Sequence, residues 1–198
     1  VETARRWFDA ILVHGDANLI AFDATFPRAD ELAGLIRYTG YVTEGHGGHG
    51  GEAGHGEVLV SAGSSATGEA LLRTAMVARA ETSLADIPWR LLVGHALPED
   101  IFGTIRANAP DGVIVERARP DFTTLLRNCA LSISQGGYNT VMDVLATGAR
   151  AVVIPYAGGN ETEQTVRARL LAERGLLYQC SQSDLSIPVL VDLIEQAC

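Results

Sequence analysis

The sequence SISQGGYNTVMDVLATGARAVVIPYAGGNETEQ, residues 132–164, contains two strand–turn–helix units in succession. A short apolar strand ends near Ser134, and a Gly-Gly pair opens a helix that stops at Gly148, a residue type common just after a helix end. A second apolar strand over 151–155 follows. This alternation is typical of βαβ units in a parallel sheet.

The same alternation extends over the whole of 57–198. We predict strands over 57–62, 89–93, 113–115, 131–134, 151–155 and 176–180. We predict helices between them over 68–82, 99–109, 121–128, 139–147, 161–174 and 188–198. The expected fold class is α/β, a Rossmann-like parallel sheet with helices on both faces.

The N-terminal segment, residues 1–44, is too short for a domain. It reads as a strand over 10–14 and a helix over 29–37. We therefore expect it to be the tail of a preceding domain, together with the connection into the next one.

Residues 45–56, GHGGHGGEAGHG, are glycine-rich and contain no large apolar side chain. Glycine has high backbone entropy, so we expect a mobile and dispensable loop. His46, His49 and His55 suit a transition metal, but no fixed geometry is expected to hold them, so a solvated linker is the favoured interpretation.

Composition excludes several classes of function. The net charge of −9 and pI near 4.9 argue against nucleic acid or an anionic membrane as the main partner. All 15 basic residues are arginines, which excludes Schiff-base and P-loop lysine chemistry. No run approaches 18 apolar residues, and the three separated cysteines suit a reducing compartment, so we expect a cytoplasmic protein without a membrane span.

The loop after the first main strand, residues 62–68, reads AGSSATG. A turn of small residues between a strand and a helix allows backbone N–H groups to reach a phosphate. Glu69 and Ala70 stand where a P-loop has Lys-Ser/Thr, so this is not a P-loop. By itself, the loop is equally compatible with a tight turn that binds nothing. No D-x-D motif is present, and we expect neither a metal site nor a cofactor.

Together these features resemble the donor-site signature of GT-B glycosyltransferases. The similarity is greatest to the peptidoglycan N-acetylglucosaminyltransferase branch and related predicted glycosyltransferases. It covers 57–198, and the YTGYV sequence at 38–42 resembles the entry into the C-terminal domain of those relatives. The resemblance implies a domain that binds a nucleotide-sugar donor, with UDP as the expected nucleotide.

The resemblance also implies roles for individual residues. The first phosphate-facing loop would contain Gly63, Ser64 and Ser65. The second would contain Ser134, Gly136, Gly137, Asn139 and Thr140, at a helix N-terminus.

Other residues match positions that contact the sugar, the ribose or the base. Asp143 stands where the family has an acid, usually Glu, that binds the ribose hydroxyls. Because Asp is one methylene shorter than Glu, its contact with the ribose would be longer or made through water. Glu163 and Gln164 match a pair that recognises sugar hydroxyls, and Arg117 and Arg119 lie near the base-reading position.

Structural interpretations remain open for several of these residues. Glu163 also completes a capping box with Asn160, Asp143 suits a solvated surface acid, and Thr140 suits a buried helix position.

The expected activity is sugar transfer from a nucleotide diphosphate to an unknown acceptor hydroxyl. The resemblance places the general base in the missing N-terminal domain or a partner chain, which would also make any peripheral membrane contact. We therefore expect residues 1–198 alone to be inactive. The alternatives are a nucleotide-sugar 2-epimerase of the same fold and a non-catalytic nucleotide-binding or interaction domain.

Overall fold

The protein is described by a computed structural model covering residues 1–42, 51–63, 68–156 and 163–198. Its strands are β1 Ile11–Val13, β2 Ile36–Tyr38, β3 Val58–Ser61, β4 Trp89–Val93, β5 Val113–Arg117, β6 Leu131–Gln135, β7 Ala151–Ile154 and β8 Tyr178–Gln179. Its α-helices are α1 Glu2–Trp7, α2 Glu69–Ala78, α3 Glu99–Ala107, α4 Phe122–Asn128, α5 Tyr138–Thr147, α6 Glu163–Ala172 and α7 Ile187–Ala197.

Six strands form one parallel sheet in the order β5-β4-β3-β6-β7-β8. The chain moves outward from β3 through β4 to β5, then crosses back to β6 and continues in the opposite direction. Such a reversal creates a crevice at the carboxyl ends of the two central strands, where ligands bind in open α/β sheets. The predicted α/β fold is confirmed.

Each face of the sheet is covered by helices with an apolar stripe. Leu72 of α2, Ile105 of α3 and Ile194 of α7 belong to one buried cluster. Leu125 of α4 and Leu171 of α6 belong to the other, together with Val141 and Val144 of α5. The alternating side chains of the fully buried central strands reach both clusters, which explains their continuous apolar sequence.

The N-terminal unit differs from its prediction. The expected helix over 29–37 is wrong, since only Asp30–Leu32 forms a short 3-10 turn and Ile36–Tyr38 is a strand. The β-branched Ile36 and the aromatic Tyr38 favour the extended conformation, and they pair in parallel with β1. Two strands replace the single strand that was expected.

Residues 51–56, the described part of the predicted mobile loop, are hydrogen-bonded to α4. The Asn128 side chain donates hydrogen bonds to the carbonyl oxygens of Gly51 and Ala53, at 2.7 and 2.9 Å. Backbone carbonyls therefore anchor this segment to the end of α4, although it has no large apolar side chain. Residues 45–50 lie outside the described residues, and the prediction stands untested there.

Candidate functional site

Glycines build the crevice at the carboxyl ends of β3 and β6. Gly63 follows β3 with a φ of +67°, a conformation that L side chains rarely adopt. A Cβ atom on Gly68 would lie 2.2 Å from the Cβ of Ala62, and one on Gly136 would lie 3.0 Å from the Cα of Pro155. Only glycine permits these close approaches. The Gly136 N–H donates to the Ile154 carbonyl at 3.1 Å, so the N–H groups available to a ligand on this side belong to the start of the following helix.

Helix α5 begins at the same place. Its N-cap is Gly137, and the Val141 N–H donates to the Gly137 carbonyl at 3.0 Å. The amides of 138–140 precede that bond and have no acceptor within the helix. Asn139 is exposed and Thr140 half-buried beside them. The N-terminal end of α5 is therefore positively polarised toward the crevice and favours an anion.

Ser134 does not lie in the loop where it was expected. It is the fourth residue of β6 and fully buried, and its hydroxyl has no hydrogen-bond partner among the residues that the structure describes. Ser64 and Ser65, expected in the first loop, lie outside the described residues.

Asp143 and the Glu163–Gln164 pair follow the two central loops. Asp143 is half-buried on α5, about 7 Å along the helix axis from Tyr138. The Gln164 Oε1 atom accepts a hydrogen bond from the Tyr156 N–H at 3.1 Å, which fixes the side chain just beyond β7. The fold therefore brings Glu163 and Gln164 to the same edge of the sheet as the glycine loops, whereas Asp143 lies in the second turn of α5.

A cavity of about 280 Å³, here called the junction pocket, lies between the N-terminal unit and the starts of α5 and α6. Ile11, Val13 and Phe22 contribute apolar lining on the N-terminal side. Tyr138 lines the opposite side, and its hydroxyl donates a 3.1 Å hydrogen bond to the His14 carbonyl. That bond joins α5 directly to the N-terminal unit.

Sequence reasoning missed the polar residues of the junction pocket. Arg167 is only 6% exposed, forms an ion pair with Glu163 and places its guanidinium 5.0 Å from the centre of the Tyr138 ring. Tyr41 also lines the pocket, and burial raises the pKa of its phenol. The i,i+4 spacing of Glu163 and Arg167 was a signal of their pairing, but no pattern indicated burial.

The two arginines expected near the base have structural partners. Arg117 Nη1 donates to the Gly94 and Leu97 carbonyls, both at 2.9 Å, which holds the loop between β4 and α3. Arg119 pairs with Asp121 through Nε and Nη2, at 2.8 and 2.6 Å. These bonds fix the position of each guanidinium, and a contact with a base would have to use the N–H donors that remain.

Other kinds of site find little support. Within the described ranges, no group of three or more His, Cys, Asp or Glu residues is placed to hold a metal ion. Burial raises the pKa of the Cys129 and Cys180 thiols to about 11, so neither supplies a thiolate nucleophile at neutral pH. In the part of the chain that the structure describes, no helix is long and apolar enough to cross a membrane.

The strand order and the glycine-built crevice are those of a Rossmann-like α/β domain, a fold in which ligands bind at this position. Residues 104–197 match the family model described as the glycosyltransferase family 28 C-terminal domain. Over these residues the chain is similar to the C-terminal domain of a GT-B glycosyltransferase.

Individual relatives agree with this class. The UDP-N-acetylglucosamine–N-acetylmuramyl-(pentapeptide) pyrophosphoryl-undecaprenol N-acetylglucosamine transferase of Paracidovorax citrulli is 29% identical over 109 residues, covering 54% of this chain and 31% of the relative. The structure of the glycotransferase of kitacinnamycin superposes with a TM-score of 0.69 at 20% identity, over 96% of this chain and 46% of that one. The structure of spinosyn rhamnosyltransferase complexed with thymidine diphosphate superposes with a TM-score of 0.68 at 22% identity, over 96% of this chain and 48% of that one.

The match spans about a third of the curated transferase, and the chain spans less than half of the two solved enzymes.

Proposed function

We propose that residues 57–198 bind a nucleotide diphosphate sugar, with UDP as the nucleotide, and that the whole protein transfers the sugar to an acceptor hydroxyl. The observation that carries this proposal is the crevice between β3 and β6. Gly68 packs closely against Ala62 there, Gly136 packs closely against Pro155, and the N-terminus of α5 faces the crevice. The name of the curated relative includes UDP-N-acetylglucosamine, and one structural relative was solved with thymidine diphosphate.

The diphosphate would lie over Gly63, Gly136 and the first turn of α5. Departure of the sugar leaves negative charge on the diphosphate, and backbone N–H groups already aimed at that position stabilise it without reorganisation. The positive end of the α5 dipole acts in the same direction. This role requires close backbone approach, which the glycines permit.

Asp143 would bind the ribose hydroxyls, because one carboxylate accepts hydrogen bonds from two neighbouring hydroxyl groups. Glu163 and Gln164 would recognise the sugar. The Gln164 Oε1 atom is engaged by the Tyr156 N–H, so its amide NH₂ group is the donor available to a sugar hydroxyl.

We further propose that 1–44 is the tail of the acceptor domain, and that the general base lies in that domain or on a partner chain. The small two-stranded parallel sheet of β1 and β2 supports this, because parallel pairs normally belong to larger sheets covered on both faces. The free thiols of Cys129, Cys180 and Cys198 are compatible with the proposed cytoplasmic location.

Calorimetric titration of UDP, dTDP and GDP into the intact chain tests donor binding. UDP should bind most tightly, and Asp143→Asn should weaken it by about 1.5–3 kcal/mol, the typical value for a hydrogen bond to a charged group. Asp192→Asn is the matched control, since Asp192 is an exposed acid on α7. Equal or absent binding of all three nucleotides, together with no effect of Asp143→Asn, would refute the assignment.

UDP binding should not need a divalent metal, because the chain has no D-x-D motif and the described residues offer no ligand cluster. The same titration with EDTA and with added Mg²⁺ checks this. A clear loss of affinity in EDTA would contradict it.

Product analysis of the complete protein separates transfer from epimerisation. A transferase should release UDP from a UDP-sugar only when an acceptor is present, whereas an epimerase changes the sugar without one. Epimerised product in the absence of acceptor would overturn the proposed transfer reaction.

A further inference from the structure

The polar side of the junction pocket contains a buried cation with unused hydrogen-bonding capacity. A guanidinium has five N–H donors. In Arg167, the hydrogen bond seen among the described residues is the one that Nη2 donates to the Glu163 carboxylate, which leaves Nε and Nη1 as further donors. The side chain of Arg167 is 7% exposed and that of Glu163 is 57% exposed. The carboxylate is therefore the more exposed member of the pair, and the guanidinium retains N–H donors for a ligand in the pocket.

A second donor lies in the same pocket. The Tyr41 hydroxyl is buried and without a hydrogen-bond partner in the part of the chain that the structure describes. A buried donor that stays unpaired is costly, because it has lost its water without replacement. Tyr138 differs, since its hydroxyl already donates to the His14 carbonyl.

The apolar side strengthens any polar contact made opposite it. Ile11, Val13 and Phe22 offer no polar atoms from their side chains, and attraction between charges is stronger where fewer water molecules surround them. At about 280 Å³ the pocket is near the lower limit of small-molecule sites, which run from about 300 to 1,000 Å³. It suits one small anionic group attached to a short apolar or sugar body.

We propose that the junction pocket binds a substrate group carrying a carboxylate or a phosphate, with Arg167 as the residue that selects for charge and Tyr41 as a second hydrogen-bond donor. This proposal rests on the proposed function in one respect, namely that the nucleotide occupies the neighbouring crevice, next to Glu163. The anion belongs either to the transferred sugar or to the acceptor, and the two sources differ in whether the anion is joined to the nucleotide.

Two sets of probes, each comparing anionic compounds with a neutral one, distinguish these sources in calorimetric titrations of the intact chain. UDP-glucuronate against UDP-glucose tests an anion on the donor sugar. Phenyl phosphate and benzoate against benzyl alcohol, with and without saturating UDP, test an anion on a separate molecule. At least one anionic probe should bind tenfold or more tightly than its neutral counterpart.

Substitutions assign the preference to its residues. Arg167→Met keeps an apolar stem and should abolish the preference, whereas Arg169→Met should keep it, since Arg169 is exposed on the same helix and pairs only loosely with Glu173 at 3.7 Å. Tyr41→Phe should lower the preference at least threefold. If thermal melting shows that Arg167→Met does not fold, Tyr41→Phe decides the outcome.

Equal binding of charged and neutral probes by the wild-type chain would overturn the proposal, as would a preference that survives both substitutions. Titration with UDP alone serves as the separate readout. Absent UDP binding contradicts the proposed donor site, whereas the phenyl phosphate and benzoate arm without UDP still decides the anion site.

Discussion

At the residue scale, the candidate site depends on glycines, because the backbone there leaves no room for a side chain or has a conformation that other residues rarely adopt. Gly68 and Gly136 lie where a single Cβ would collide with the end of a neighbouring strand, and Gly63 has a left-handed backbone. The sequence shows the glycines but not which of them are sterically required. Gly136 and Gly137 are adjacent and look equivalent in the sequence, although only Gly136 has a close neighbour.

Gly136→Ala should therefore lower the free energy of unfolding by about 1–3 kcal/mol, the usual cost of an added methyl in a tightly packed site. Its Cβ would lie 3.0 Å from the Pro155 Cα and 3.2 Å from the Val153 side chain. Gly137→Ala is the control. It has no atom within 4 Å and a φ of −58° that alanine adopts readily. Urea unfolding monitored by circular dichroism measures both variants, and equal stabilities would contradict the steric argument.

At the scale of elements, hydrophobic periodicity was sufficient for the main domain. The strands over 89–93, 131–134 and 151–155 were predicted to within a residue or two, because continuous apolar runs mark strands buried on both faces. Residues 29–37 were mistaken for a helix because the stabilising contact, pairing of Ile36–Tyr38 with β1, is long-range.

The 51–56 segment shows a second limit of sequence reasoning. Its glycine content predicts mobility, but Gly54 is buried with a φ of +80°, and a Cβ there would lie 3.0 Å from Leu125. Glycine allows the segment to pack against α4 as well as to move. Likewise, Arg167 lines the junction pocket together with residues of the N-terminal unit, a long-range arrangement that no local pattern encodes.

Asn128→Ala should destabilise the protein by about 1–3 kcal/mol, because the carbonyls of Gly51 and Ala53 would lose their side-chain donor. Asn108→Ala is the control, since Asn108 is exposed and its amide makes one local bond to the Thr104 carbonyl. Thermal melting of both variants tests this. A loss no larger in Asn128→Ala than in Asn108→Ala would mean that 51–56 is not held by Asn128.

At the scale of the whole molecule, the proposed donor half supplies recognition but not the complete reaction. Transfer also needs an acceptor held in line with the anomeric carbon and a base within hydrogen-bond reach of its hydroxyl. Residues 1–198 alone should therefore show negligible transfer, whereas a protein that includes an acceptor domain should be active. Transfer of radiolabelled sugar from a UDP-sugar to cell extract measures both, and comparable rates would contradict the division into halves.

Hydrogen–deuterium exchange with and without UDP tests the central claim most directly, because it locates the nucleotide on the chain. Binding over the N-terminus of α5 should slow exchange of the amides of 137–140, which precede the first hydrogen bond inside the helix. The amides of α7, on the opposite face of the sheet, should be unchanged. Unaltered exchange at 137–140 under saturating UDP, or protection confined to α7, would contradict the assignment of the donor site.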